Sequence, residues 1–139
     1  MRSWSARWRI ARSGSTDLEL ALSGDWDAAN AAETDPRAVA AELDTYWVQA
    51  GGGDPVDWLG RMTARVPILH LKDYGVDPKG RATFEEIGQG NLSWDKIIPA
   101  AKRAGCKWYV VEQDSDWEEG DPFQSLKMSL AFLRKGFAE

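Results

Sequence analysis

Three strand-like runs in this chain each end on a side chain able to bind a metal. They are Ala40-Ala41-Glu42-Leu43-Asp44, Val66-Pro67-Ile68-Leu69-His70 and Trp108-Tyr109-Val110-Val111-Glu112. The gaps between the end residues are roughly one strand–helix unit each, the second lengthened by a loop. Ligands at successive strand ends, with helices between, describe one rim of a parallel β/α sheet. That rim is where such sheets place their chemistry. Asp44, His70 and Glu112 form an oxygen-rich donor set with one imidazole, suited to Mn²⁺, Mg²⁺, Co²⁺ or Zn²⁺.

The chain has 139 residues, enough for one domain with a modest core. A full eight-fold barrel needs about 250 residues. The net charge of −5 argues against a general nucleic-acid binder. No apolar run is long enough to span a membrane. The single cysteine, Cys106, cannot form an intramolecular disulfide and reads as a small buried hydrophobe. That fits a reducing cytoplasm, the expected location. Most of the eight tryptophans read as packing residues, although aromatic faces also serve sugar sites.

Residues 1–23 carry no clean period and no cap. The opening stretch, Met1 to Gly14, is rich in Arg and Ser and has no acid. A targeting segment or a basic arm would fit, but it lacks the apolar region of a secretory signal. A disordered or non-native leader is the expectation. From Asp25 a short helix with an acidic first turn is expected, broken at Thr34-Asp35-Pro36.

The first strand is expected to run on through Thr45-Tyr46-Trp47-Val48, which is β-branched and aromatic. Asp54-Pro55 opens a helix with Asp as N-cap, and Val56, Leu59 and Met62, with Trp58 beside them, give its apolar face. The apolar run from Val66 to Leu71 suits a strand buried on both faces. Residues 73–92 read as a long loop with turns at Asp77-Pro78 and Lys79-Gly80. Ser93 caps a helix carrying Trp94, Ile97, Ile98 and Ala101, and Gly105 ends it. Lys107 to Glu112 is the third strand. Asp121-Pro122 starts the last helix, with Phe123, Leu126, Leu130 and Leu133 on one face. The pattern is β-α-β-α-β-α, an α/β fold.

Four segments carry a resemblance to a known family: Glu42-Leu43-Asp44-Thr45-Tyr46-Trp47, Val66 through Asp73, Glu86 through Trp94, and Trp108 through Asp114. They resemble the C-terminal part of sugar phosphate isomerases/epimerases, of the xylose isomerase-like TIM-barrel superfamily. The resemblance covers about residues 24–135. It implies a partial (β/α)8 TIM barrel, about the last three strand–helix units, over residues 24–139, and a truncated chain with an incomplete active site.

The family's metal site has Glu, Asp, His and Glu on strand ends. The resemblance matches Asp44, His70 and Glu112 to the last three as metal ligands, and finds no first Glu in strand context. It implies metal-assisted proton transfer next to a sugar carbonyl through an enediolate, with Glu112 as the catalytic acid/base. Trp47, Lys72 and Asp73 are the expected substrate contacts, Lys72 toward a phosphate, a hydroxyl or an enediolate oxygen. Trp47 stands where related epimerases often carry His. The Gly88-Gln89-Gly90 turn resembles the family's Gly-x-Gly loop.

The implied partner is a small sugar or sugar phosphate, with no nucleic acid and no membrane. Self-association through open sheet edges is expected of a three-strand piece. Two alternatives share the fold: a dehydratase/lyase acting on inositol-type sugars, and a non-catalytic remnant that binds or assembles. An endonuclease with a His-rich multi-zinc cluster is disfavoured by the single histidine.

Overall fold

The computed structural model describes residues 40–137. The expected leader, the helix expected from Asp25 and the boundary between leader and barrel segment lie outside these residues. In chain order the elements are β1 (Glu42–Asp44), α1 (Thr45–Ala50), α2 (Pro55–Arg61), β2 (Ile68–Leu71), β3 (Asp73–Val76), β4 (Ala82–Glu85), α3 (Trp94–Arg103), β5 (Trp108–Val111), a 3₁₀ turn (Glu118–Gly120) and α4 (Pro122–Phe137).

β1, β2 and β5 form a parallel sheet in the order β1-β2-β5. Asp44 is in register with His70, and His70 with Val110. The Glu112 N–H donates to the Leu71 carbonyl at 3.2 Å, extending the pairing past the end of β5. The three strand ends named from the sequence therefore lie side by side.

Strand alternation gives the sheet two different faces. Leu43, Leu69 and Leu71 are buried in one core with Leu59 and Met62, and with Ile97, Ile98, Ala100 and Ala101 of α3. Removing this apolar surface from water is the main stabilising term. The opposite face carries Glu42, Asp44, Ile68, His70, Trp108 and Val110. Trp108 is 69% exposed there.

Four sequence expectations need correction. β1 does not run on through Thr45–Val48, because a helix begins at Thr45. Asp44 is its N-cap: Oδ1 accepts from the N–H groups of Tyr46 and Trp47 at 2.9 and 3.2 Å. This cap and the tertiary contacts of Thr45 and Tyr46 outweigh local β propensity. β2 is shorter than the apolar run, beginning at Ile68.

Residues 73–92 are not a structureless loop. β3 and β4 pair as an antiparallel hairpin, closed where Asp77 accepts from the Lys79 and Arg81 N–H groups. Finally, α4 begins at Pro122 as expected, but of its expected apolar face only Leu133 packs against the core. Phe123, Leu126 and Leu130 are exposed, while Ser125 and Ser129 face inward. The two serines bond Glu86 and the Ile87 N–H, which a leucine could not do.

Candidate active site

Thr45 ties the end of β1 to the end of β2. Its hydroxyl donates to the Lys72 carbonyl at 2.8 Å and accepts from the Lys72 N–H at 3.0 Å. The contact fixes Asp44 beside His70 and Lys72.

Donor atoms of Asp44, His70 and Glu112 lie within 4.8 Å of one another, the one such cluster among the described residues. Two ligands about 2.1 Å from one ion are at most about 4.2 Å apart. The set therefore needs only a small closing movement to converge on one ion. Its chemistry, two carboxylates and one imidazole, fits a divalent cation.

The His70 ring is held at both nitrogens. Nδ1 meets Glu112 Oε2 and Nε2 meets Glu42 Oε1. Burial alone would lower the His70 pKa. The hydrogen bonds and charges of Glu112 and Glu42 outweigh it, and the pKa rises. Burial pushes the Asp44 carboxyl up, opposed in part by the nearby Lys72 cation.

Lys72 is 2% exposed, yet its ammonium faces three acids. Nζ is 2.8 Å from Asp114 Oδ2 and 3.3 Å from both Asp44 Oδ2 and Glu112 Oε1. Burial would lower its pKa, but the Asp114 hydrogen bond and the charges of Asp44 and Glu112 raise it. Lys72 is thus a fixed cation at the strand ends. Nζ lies 5.5 Å from the Phe84 ring centroid and 6.0 Å from that of Trp47.

Trp47 is 50% exposed at this rim. Its indole packs edge-on against Tyr46, whose ring stacks on Phe84 at 4.1 Å. The β3–β4 hairpin thereby brings an aromatic wall to the site. The Phe84 N–H donates to Asp116 at 3.2 Å, joining the hairpin to the loop after β5.

Asp73 points elsewhere. It is 0% exposed. Its Oδ1 accepts from the Tyr74 and Leu92 N–H groups, and Oδ2 from Gly88 N, Gly90 N and the Trp94 indole N–H. In this geometry Asp73 anchors the Gly88-Gln89-Gly90 turn. A Cβ at Gly90 would collide with the Asp73 carboxylate and the Tyr74 carbonyl, so the turn requires glycine there.

Asp44, His70, Lys72 and Glu112 are brought together, with Trp47 at their edge. Sequence reasoning missed Glu42, Asp114 and Phe84. Alternation along β1 already placed Glu42 on the face of Asp44, whereas Asp114 lies past the end of β5, where no strand period places it. Nothing in the sequence announced Phe84, because its position depends on the hairpin.

Fold and site together define a parallel β/α sheet with an acid–imidazole cluster at its strand ends. No family model matches the chain. Among solved structures it is similar to two crystal structures of sugar phosphate isomerases/epimerases from Parabacteroides distasonis ATCC 8503. One is 30% identical with a TM-score of 0.60, over 75% of this chain and 33% of that one. The other is 28% identical with a TM-score of 0.59, over 76% and 34%. Curated relatives include an inosose dehydratase of Geobacillus thermodenitrificans (strain NG80-2), 25% identical over 118 residues, 74% of this chain and 40% of the relative. Another is an inosose dehydratase of Bacillus cereus (strain AH820), 24% identical over 117 residues, 73% and 39%. The resemblance to the sugar phosphate isomerase/epimerase family thus extends from motifs to structure. The chain spans about a third of these structures and two fifths of these relatives. No helix among the described residues is long and apolar enough to cross a membrane.

Proposed function

We propose that this chain is part of a (β/α)8 barrel, about its last three strand–helix units, from a sugar or sugar phosphate isomerase/epimerase. The observation that carries the reading is the convergence of Asp44, His70 and Glu112 at adjacent ends of parallel strands. These three residues would hold a divalent metal. When bound, such an ion polarises a substrate carbonyl as a Lewis acid.

Glu112 moves the proton at the carbon next to that carbonyl, as a carboxylate fixed at a strand end. The Lys72 ammonium, 3.3 Å from Glu112, stabilises negative charge growing on the substrate oxygen as the enediolate forms. It is equally suited to a substrate phosphate or hydroxyl. Trp47 offers an indole face to the apolar side of a sugar ring or chain. The substrate class is a sugar or sugar phosphate, handled by a cytoplasmic protein.

A second reading is favoured by the two inosose dehydratases among the relatives. Dehydration of an inositol-type ketone begins with the same proton removal beside a carbonyl, followed by loss of a neighbouring hydroxyl. Both readings are tested by incubating the chain with ketose phosphates or inosose in D₂O with Mn²⁺. Deuterium should enter at the carbon next to the carbonyl, and Glu112→Gln should stop it. Loss of water separates dehydratase from isomerase. No exchange with any of these substrates would leave a non-catalytic binding or assembly role as the better account.

A further inference from the structure

Glu42 touches the site but has no part in the reaction proposed above. β1 is three residues long, so alternation places Glu42 and Asp44 on one face, either side of buried Leu43. Glu42 reaches across to β2 and meets His70 Nε2, while Glu112 reaches from beyond β5 and meets Nδ1. The ring is therefore gripped from both neighbouring strands. The two nitrogens face different surroundings. Nδ1 is turned toward Glu112, a member of the donor cluster. Nε2 is turned toward Glu42, which lies outside that cluster.

A neutral imidazole has one N–H and one lone pair, and the partner of the first decides the direction of the second. Resting on the metal reading above, we infer that Glu42 is a positioning residue for His70. Its carboxylate accepts the Nε2 proton, fixes that tautomer and the ring plane, and leaves the Nδ1 lone pair for the ion shared with Asp44 and Glu112. Carboxylates in this position raise the basicity of the ligand histidine, and their loss costs about 10–100-fold in metal affinity.

His70 is the chain's only histidine, so ring nitrogen spectra report on it alone. The test titrates Zn²⁺, which is diamagnetic, into the wild-type chain and the E42Q, E42A and H70A variants. Calorimetry reads affinity, and long-range ¹H–¹⁵N spectra read which nitrogen carries the proton. The expected wild-type state has zinc on Nδ1 and a proton on Nε2. E42A should bind about 10–100-fold more weakly. E42Q keeps an acceptor oxygen and should fall between the two, with the Nε2 proton retained. H70A should lose binding.

E42A and E42Q both binding as tightly as wild type would overturn the role of Glu42 and leave the metal reading standing. So would zinc on Nε2 in the wild type. A wild-type chain that takes up no zinc, or an H70A chain that binds it unchanged, would overturn the metal reading and this inference together. A purely architectural Glu42 would lower the melting temperature of E42A without changing affinity or the ring spectrum.

Discussion

Asp44 Oδ2 and the Lys72 ammonium stand 3.3 Å apart across the parallel pair β1–β2. The lysine occupies one oxygen of Asp44 and one of Glu112, two of the three proposed ligands. It is thus both a support for the acids and a competitor of any metal they hold. Lys72→Met should destabilise the metal-free chain by about 1–3 kcal/mol, since it leaves partly buried acids without their cation. The same variant should gain more stability from Mn²⁺ than wild type does. Thermal melts of both proteins with and without Mn²⁺ check this; an unchanged metal-free melt would remove Lys72 from the account.

Direct tests of the donors are Asp44→Ala and His70→Ala. With Mn²⁺ at about 100 times its dissociation constant, the wild-type chain should gain about 2.7 kcal/mol. Either variant should lose that gain. Asp44→Ala also removes the cap of α1, worth about 1 kcal/mol, so the difference with and without metal is the quantity to read. A metal shift that persists in both variants would place the ion elsewhere.

Asp73 and Lys72 are adjacent in sequence and have opposite duties. Asp73 collects four backbone N–H groups and the Trp94 indole N–H. Asp73→Ala strands several of these donors and should cost about 3–5 kcal/mol. The turn over residues 86–92 should then become the first site of limited proteolysis, and the Trp94 indole proton should lose its protection from exchange. A variant that keeps both while losing activity would mark Asp73 as a substrate contact instead.

The strand ends were legible because apolar runs ending on Asp, His and Glu require neither a partner nor a register to be noticed. The α2 face was legible too: Leu59 and Met62 are buried, and Val56 and Trp58 pack against them. The β3–β4 hairpin was hidden by its own residues. Its turn signals, Asp77-Pro78 and Lys79-Gly80, were visible, but they close a hairpin whose strands are only four residues each, too short to show a period against the turn residues between them. The α4 face was misread because amphipathicity is a local pattern. Ser125 and Ser129 face inward to satisfy Glu86 and the Ile87 N–H, some forty residues earlier. Glu42 was overlooked because it reads as a strand member: its register partner is Ile68, and its side chain reaches His70 diagonally across the β1–β2 pair.

Glu86 gives the chain a defined acid sensitivity. Burial would raise its pKa, but hydrogen bonds from the Ser125 hydroxyl at 2.5 Å, from Gln113 and from the Glu118 N–H hold it below the ordinary 4.5. A depressed carboxyl contributes stability above its unfolded value and loses it as pH falls through the folded value. The wild-type melting temperature should therefore drop as pH falls below about 4.5. Glu86→Gln should flatten that drop while lowering stability at neutral pH. Parallel slopes for the two proteins would sink this assignment.

Trp108 and Val110 lie on the sheet face opposite the helices, and β1 and β5 are the edges of the parallel sheet among the described residues. Open edges offer unpaired N–H and C=O groups, and an indole 69% exposed adds an apolar anchor beside them. The exposed Phe123, Leu126 and Leu130 of α4 add a second apolar stripe. The chain expressed alone should therefore self-associate at micromolar concentration. Sedimentation velocity across a dilution series should show a concentration-dependent species. Trp108→Ser combined with Val110→Lys should shift it toward monomer, because charge on a bare sheet face opposes further pairing. Leu126→Lys should have the smaller effect if the sheet, rather than the helix, is the contact. A wild-type chain that is monomeric and unfolds cooperatively would show that this face is stable uncovered, and the partial-barrel reading would then lose its main physical consequence.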